Sequence, residues 1–147
     1  MKKTGSFADK IKRFFRLIYL KLFRVNDTPG KVALGVGLGV FSGILPGTGP
    51  LAAICLAIIL RANRAAALLG SLITNTWLSF LIFIPAIKTG SFLLGVQWKQ
   101  IHGESLRGKV ILPAIIGYLI MGFILGLITY SITLAVVIIK RSHDKKI

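Results

Sequence analysis

The stretch that decides the fold is residues 32–60, VALGVGLGVFSGILPGTGPLAAICLAIIL, which is apolar but has GILPGTGP at its middle. The prolines of this motif remove backbone donors, and its glycines permit non-helical dihedral angles. Lipid supplies no water to the carbonyls that such a break frees, so protein must shelter it. We therefore expect two half-helices that meet at a loop within 43–50, as a re-entrant hairpin or a discontinuous spanning helix. A single kinked helix is the alternative. The breaking residues are Gly43, Pro46, Gly47 and Pro50.

Two further apolar runs, residues 65–87 and 110–139, follow the first. Each of the three runs can cross a hydrocarbon layer, which takes about 20 helical residues. The chain is 54% hydrophobic and its mean hydropathy is +0.79, well above soluble domains. No run alternates apolar and polar residues as a membrane barrel would. The sequence predicts one all-α integral membrane domain, with the broken helix pair followed by two further membrane helical segments.

The predicted segments are a basic amphipathic interfacial helix at 1–27, a membrane core at 28–95, a polar loop at 96–109, and a membrane helix with a basic tail at 110–147. In the first segment, apolar side chains share one side of a 3.6-residue helix and cations lie opposite. This helix could lie in the lipid interface or pack against the protein's own core. Cations also interrupt the apolar core that a cleavable signal would need, so we expect none. They are Arg13, Arg16, Lys21 and Arg24.

The net charge of +15 arises from 19 Lys and Arg against four acids. Fifteen of these cations flank apolar runs, between Lys2 and Lys31, at Arg61 and Arg64, and from Lys140 to the end. That placement indicates the positive-inside pattern and anionic lipid headgroups as partners, not nucleic acid. It predicts a multi-pass protein with both termini in the cytoplasm. Four cations would face the other side: Lys88, Lys99, Arg107 and Lys109.

Small residues recur at four-residue spacing in two of the runs. Such stripes let helix backbones approach closely, so we expect the two helices to pack together. Gly122 and Gly126 offer a further close-contact face in the last run, which is weak evidence for a dimer. The stripe residues are Gly35 and Gly39 in the first run, and Ala66, Gly70 and Thr74 in the second.

Residues 28–95 resemble the bacterial family known as domain of unknown function 2062. The motifs that carry this resemblance occur in order along the chain. They are Pro29 with Val32-Ala33-Leu34-Gly35, Gly39-x-Phe41-x-Gly43-x-x-Pro46-x-x-Gly49, Leu60-Arg61-x-Asn63, and Gly70 with Asn75. The resemblance implies a prokaryotic membrane protein, and hence the bacterial cytoplasmic (inner) membrane. It brings no established activity.

Catalysis needs a positioned acid, base, nucleophile or metal, and the apolar runs contain no Asp, Glu or His. Cys55 is the only cysteine, so one chain can form neither a disulfide nor a thiolate metal cluster. We therefore expect no enzyme activity, cofactor or metal.

With catalysis and metal binding excluded, anion binding is the remaining chemistry that these residues could support. Thr48 or Gly49 could cap a half-helix that begins at Pro50, and helix starts bind phosphate or carboxylate. Lys31, Arg61 and Arg64 near the membrane surface, together with the side-chain amide of Asn75 in the second run, would complete a path for phosphate. Alternatively, the arginines only hold a loop at the headgroups, and Ser71 and Thr74 only bond their own helix's carbonyls. The predicted substrate-binding residues are Lys31, Arg61, Arg64, Thr48, Gly49 and Asn75.

Two functions fit this pattern. The first is a transporter or flippase-like protein for an anionic lipid with a phosphate headgroup, for example a polyprenyl phosphate. One chain has too few helices to enclose a path, so this function requires a homo-oligomer. The second is a non-catalytic anchor or adaptor whose cations recruit anionic lipid or a partner enzyme. The broken helix favours the first.

Overall fold

A computed structural model describes residue 13 and residues 27–45, 47, 49–74, 76–96 and 110–144. Over these residues the chain is all-helical, as expected, and forms α1 (Pro29–Ile44), α2 (Gly49–Ile59), α3 (Arg64–Ile73), α4 (Thr76–Leu93) and α5 (Ile111–Asp144). The predicted interfacial helix and polar loop lie almost entirely outside the described residues. Three residues of the predicted site and break lie outside them too: Pro46, Thr48 and Asn75.

The helices α1 and α2 form an antiparallel hairpin. At its tip, a Cβ built on Gly49 would lie 3.1 Å from the Cα of Gly43. Gly47 turns the chain with a φ of +87°, which glycine adopts without strain. Beyond α2, the amide of Asn63 donates to the carbonyl of Lys31 at 3.0 Å, so the chain has returned to the start of α1. The segment is therefore a helical hairpin and not one kinked helix.

The helix α3 runs parallel to α1, and the two helices touch along small residues. A Cβ on Gly39 would lie 2.8 Å from the Cα of Gly70, and one on Gly35 would lie 2.9 Å from the Cβ of Ala66. A Cβ on Gly43 would meet the hydroxyl of Thr74. These are the small residues that the sequence singles out, and no larger side chain fits between the two backbones.

The helix α4 departs from the sequence expectation. One further membrane helical segment was expected over 65–87. Instead the chain bends by 80° between α3 and α4, and α4 continues through Pro85 to Leu93. Near its start, the Ser79 hydroxyl donates to the Ile44 carbonyl at 3.0 Å, which fixes α4 against the last turn of α1.

The helix α5 runs antiparallel to α4 and then to α1. Its first turns meet α4 where Gly117 packs on the Ala86 backbone. Further along, Gly126 packs on the Gly37 backbone of α1. The glycine face considered for a dimer is thus occupied by α1 of the same chain. Since α1 contacts all four other helices, it is the centre of the described fold.

Large apolar side chains are exposed along α2, α3, α4 and α5. By length and composition, one helix, Ile111–His143, could cross a membrane. A second span would exist if the bent pair Arg64–Ile73 and Leu78–Leu93 counts as one. The run 32–60 is divided between α1 and α2, which are shorter apolar helices. Of the three apolar runs, only the last therefore forms a single helix of spanning length.

Candidate functional site

The described part of the molecule has two ends, defined by where its helices begin and end. The helices α1 and α3 begin at one end, where Asn63 bonds the Lys31 carbonyl. The last turns of α5 reach the same end, because Val137 packs in one cluster with Val32 and Ala66. We call this the cationic end, because five basic residues lie there: Lys31, Arg61, Arg64, Lys140 and Arg141.

Asn63 joins three parts of the chain at the cationic end. Its Oδ1 accepts a hydrogen bond from the Ala66 amide at 2.8 Å and caps α3. Its Nδ2 donates to Oδ2 of Asp27 at 2.7 Å, and its amide donates to the Lys31 carbonyl at 3.0 Å. Sequence reasoning missed this role. The available signal was an asparagine immediately before an apolar helical run.

The predicted cations Lys31, Arg61 and Arg64 have exposed side chains. Arg61 has a φ of +52°, an unusual value for a residue with a Cβ, at the turn between α2 and α3. Arg141 differs, since its Nε and Nη2 are buried without a hydrogen-bond partner. The cationic end therefore offers exposed positive charge together with one sheltered guanidinium.

At the opposite end of α1, which we call the broken end, side-chain hydroxyl groups donate hydrogen bonds to backbone carbonyls. Ser79 donates to the Ile44 carbonyl, and the Tyr118 hydroxyl donates to the Ser79 carbonyl at 2.9 Å. Sequence reasoning missed both residues. Ser71 and Thr74 donate to Leu68 and Gly70, carbonyls of their own helix, which is the alternative that the sequence left open. These hydroxyls therefore satisfy backbone carbonyls at the break.

A cavity of about 620 Å³ lies at the broken end. This volume falls within the roughly 300–1,000 Å³ of typical ligand pockets. The hairpin tip and the first turns of α4 and α5 line it, and no charged side chain is among the lining residues. Several of these residues are also exposed on the outer apolar surface, so the cavity is open to that surface beside α4 and α5. They are Phe80, Phe83, Ile115 and Leu119.

The four described residues of the predicted binding set are not all brought together. Lys31, Arg61 and Arg64 lie at the cationic end, whereas Gly49 lines the cavity at the broken end. The 16 residues of α1 separate the two ends by about 24 Å at a rise of ~1.5 Å per residue. Between the ends, the glycine contact of α1 with α3 leaves no room for a side chain. The three described cations and Gly49 thus lie at two ends of different character, and the prediction of an anion path that joins them stays a prediction.

Fold and site define a small helical protein with a cationic end and a laterally open apolar cavity. The chain belongs to the family described as an uncharacterized protein conserved in bacteria, domain of unknown function 2062, whose model matches residues 12–146. The family expected from the sequence motifs is confirmed, over more of the chain than those motifs cover. Comparisons with curated proteins and with solved structures found no match.

Proposed function

We propose that this chain is a transporter or flippase-like protein of the bacterial cytoplasmic membrane. Its substrate would be a lipid with a phosphate-containing headgroup, for example a polyprenyl phosphate, moved without enzymatic chemistry. The observation that carries this proposal is the pairing of a cationic end with an apolar cavity about 24 Å away along α1. A lipid needs both environments, since its head is anionic and its chain apolar.

Placement in a bilayer is supported by the exposed apolar side chains of α2 to α5. It is also supported by the charge pattern, because the described cations flanking α1, α3 and the end of α5 lie at one end. Under the positive-inside rule that end faces the cytoplasm. The hairpin of α1 and α2 then enters from the cytoplasm and returns to it. Both termini are cytoplasmic in this multi-pass arrangement.

Single-cysteine labelling tests this topology on a Cys55→Ser background, since Cys55 is exposed. We expect Gly30→Cys and His143→Cys to react with an impermeant maleimide from the cytoplasmic side only. Leu94→Cys, at the end of α4, should react only from the opposite side. Labelling of Gly30→Cys and His143→Cys from different sides would refute the arrangement.

In this proposal, the exposed cations Lys31, Arg61 and Arg64 collect headgroups from the cytoplasmic leaflet. The lipid chain enters the cavity from the outer apolar surface, beside the exposed side chains of Phe80 and Ile115. A headgroup cannot pass between α1 and α3, because their backbones are in contact. A path across the bilayer therefore requires a second copy of the chain, and we propose a homo-oligomer.

Transport can be tested in proteoliposomes with fluorescent phosphatidic acid, followed by dithionite quenching of the outer leaflet. The double variant Arg61→Gln/Arg64→Gln should slow exchange between leaflets by about tenfold or more, as expected for loss of charge-assisted contacts. Lys88→Gln is the control, because it removes an exposed cation on α4, far along the chain from the cationic end. Unchanged exchange in the double variant would contradict the proposal.

A membrane anchor or adaptor is the second candidate. It is favoured by the closed α1 and α3 interface and by the uncharged cavity lining. An adaptor captures anionic lipid or a partner enzyme at the cationic end and moves nothing across the membrane. Wild-type proteoliposomes that retain phosphatidic acid but exchange it no faster than protein-free vesicles would select this function.

A further inference from the structure

Arg141 is distinct from the other cations of the cationic end. Its Nε and Nη2 are buried and have no hydrogen-bond partner, whereas Lys31, Arg61 and Arg64 are exposed. Leaving a buried donor unpaired is costly, and more so when the donor is charged. The other buried side-chain atoms in this situation, in the described part of the chain, are the neutral hydroxyls of Ser42 and Ser91. The guanidinium is thus the described group with the greatest need of an acceptor.

The position of Arg141 follows from helix geometry. It lies four residues after Val137, and residues at this spacing share one helix face. Val137 is 1% exposed and packs in one cluster with Val32 of α1 and Ala66 of α3. Because α5 runs antiparallel to α1, and Val137 already meets Val32 in the first turn of α1, the next turn of α5 lies level with the N-cap end of α1. Arg141 therefore lies at the cationic end, one turn beyond the contact of α5 with Val32 and Ala66.

Two parallel helices begin at this point, and each helix start carries a partial positive charge. The first turns of α1 and α3 contain no acidic residue. Thr28, at the N-cap of α1, makes no side-chain capping bond, and a Cβ on Gly30 would meet nothing within 4 Å. The nearby carboxylate of Asp27 is engaged by Asn63. Among the described residues, the start of α1 therefore has an unfilled capping position, and its positive helix end is offset only by the single carboxylate of Asp27.

We propose that Arg141 binds the phosphate group directly, beside the first turn of α1. Nε–H and Nη2–H form one edge of the guanidinium, and two parallel hydrogen bonds from this edge match two phosphate oxygens. Arg61 and Arg64 attract the anion to the surface, and Arg141 holds it. This inference rests on the proposed function and assigns its headgroup site to a residue on α5.

Binding of dioctanoyl phosphatidic acid to the full chain in detergent, measured by isothermal titration calorimetry, tests this assignment. Arg141→Gln should raise the Kd at least about tenfold, because a charged acceptor loses both donors. Arg141→Lys should also raise it severalfold, since an ammonium keeps the charge but not the paired geometry. Lys88→Gln, which removes an exposed cation on α4 outside the cationic end, is the control and should change it less than about threefold. Parallel titrations with inorganic phosphate distinguish a lipid headgroup from the free ion as the source of the phosphate group.

The outcomes separate this inference from the proposed function. A Kd for Arg141→Gln within twofold of wild type, with a large loss in Arg61→Gln/Arg64→Gln, would overturn the inference and leave the function standing. No change in any of these variants would refute both. If circular dichroism shows that Arg141→Gln is unfolded, Arg141→Lys decides, and a Kd within twofold of wild type overturns the assignment.

Discussion

At the cationic end, α1 and α3 begin side by side, and their first turns carry Lys31 and Arg64. At the broken end, the same two helices stop. There the Ser79 hydroxyl donates to the Ile44 carbonyl of α1, and the Thr74 hydroxyl donates to the Gly70 carbonyl of α3. Cations ordinarily stabilise helix C-termini, not N-termini. Here they add to the positive helix starts, while neutral groups close the negative helix ends. The proposed function uses this difference, with an external anion at the cationic end and an apolar chain at the broken end.

The largest expected effect concerns the contact that keeps the two ends apart. Gly39→Ala would place a Cβ 2.8 Å from the Cα of Gly70 and against the Ala67 carbonyl. We expect it to lower the free energy of unfolding by about 3 kcal/mol, since overpacking against backbone forces the helices apart. Gly30→Ala is the control, with open space around it, and should change stability by less than about 0.5 kcal/mol. Equal unfolding curves in detergent would show that the α1 and α3 contact is looser than described.

A second, smaller effect is expected at the cationic end. Asn63→Ala removes the cap of α3 and the hydrogen bond to Asp27, which should cost about 2 kcal/mol. Asn63→Ser retains a capping oxygen but cannot reach as far as the amide, so about half of that loss should remain. Thermal unfolding followed by circular dichroism measures both. A fully stable Asn63→Ala variant would mean that other contacts fix the cations in place.

Filling the cavity tests whether the two ends contribute independently to lipid exchange and to phosphatidic acid binding. Ile115→Trp places a large ring at the lateral opening and should slow lipid exchange about tenfold, equivalent to ~1.4 kcal/mol. Phosphatidic acid binding at the cationic end should stay within about twofold. Ile124→Trp is the matched control, because Ile124 is 46% exposed on the same helix and Ile115 is 51% exposed. Loss of binding along with exchange would show that the two ends are not independent.

The smallest expected effect is at the hydroxyl groups of the broken end. Tyr118→Phe removes the hydrogen bond to the Ser79 carbonyl and should cost about 1 kcal/mol. Tyr130→Phe removes a hydroxyl that makes no hydrogen bond within the described residues and should be nearly neutral. Chemical denaturation compares the two variants. Equal stabilities would mean that packing alone holds α5 against α4 at this point.

The first break of the chain could be predicted from sequence and the second could not. At 43–50, glycine and proline are incompatible with a continuous apolar helix. Between α3 and α4 the described residues include neither, and the bend of 80° follows Thr74, whose hydroxyl bonds its own helix. Proline does not break the chain everywhere. Pro85 lies inside α4 and removes one donor, but close packing of Ala86 on Gly117 of α5 supports the helix through it.

The small-residue stripes are visible in the sequence because close helix approach needs a fixed spacing of residue types. The separation of the cations from the break was not predictable, because it depends on tertiary structure. Lys31 and Gly49 are close in sequence, yet α1 runs straight between them and places them at opposite ends. Nothing in the local sequence marks Arg141, because the burial of its Nε and Nη2 depends on tertiary structure.

If the protein is placed in a bilayer as proposed, the length of α5 has a consequence. Its 34 residues extend about 51 Å at ~1.5 Å each, whereas the hydrocarbon layer is about 30 Å thick. A helix of this length tilts in a thin bilayer and stands more upright in a thick one. Since α1 and α4 both pack along α5, the hairpin tilts with it. We therefore expect bilayer thickness to set the depth at which the cavity opens, so that lipid composition itself changes which part of a lipid chain can reach it.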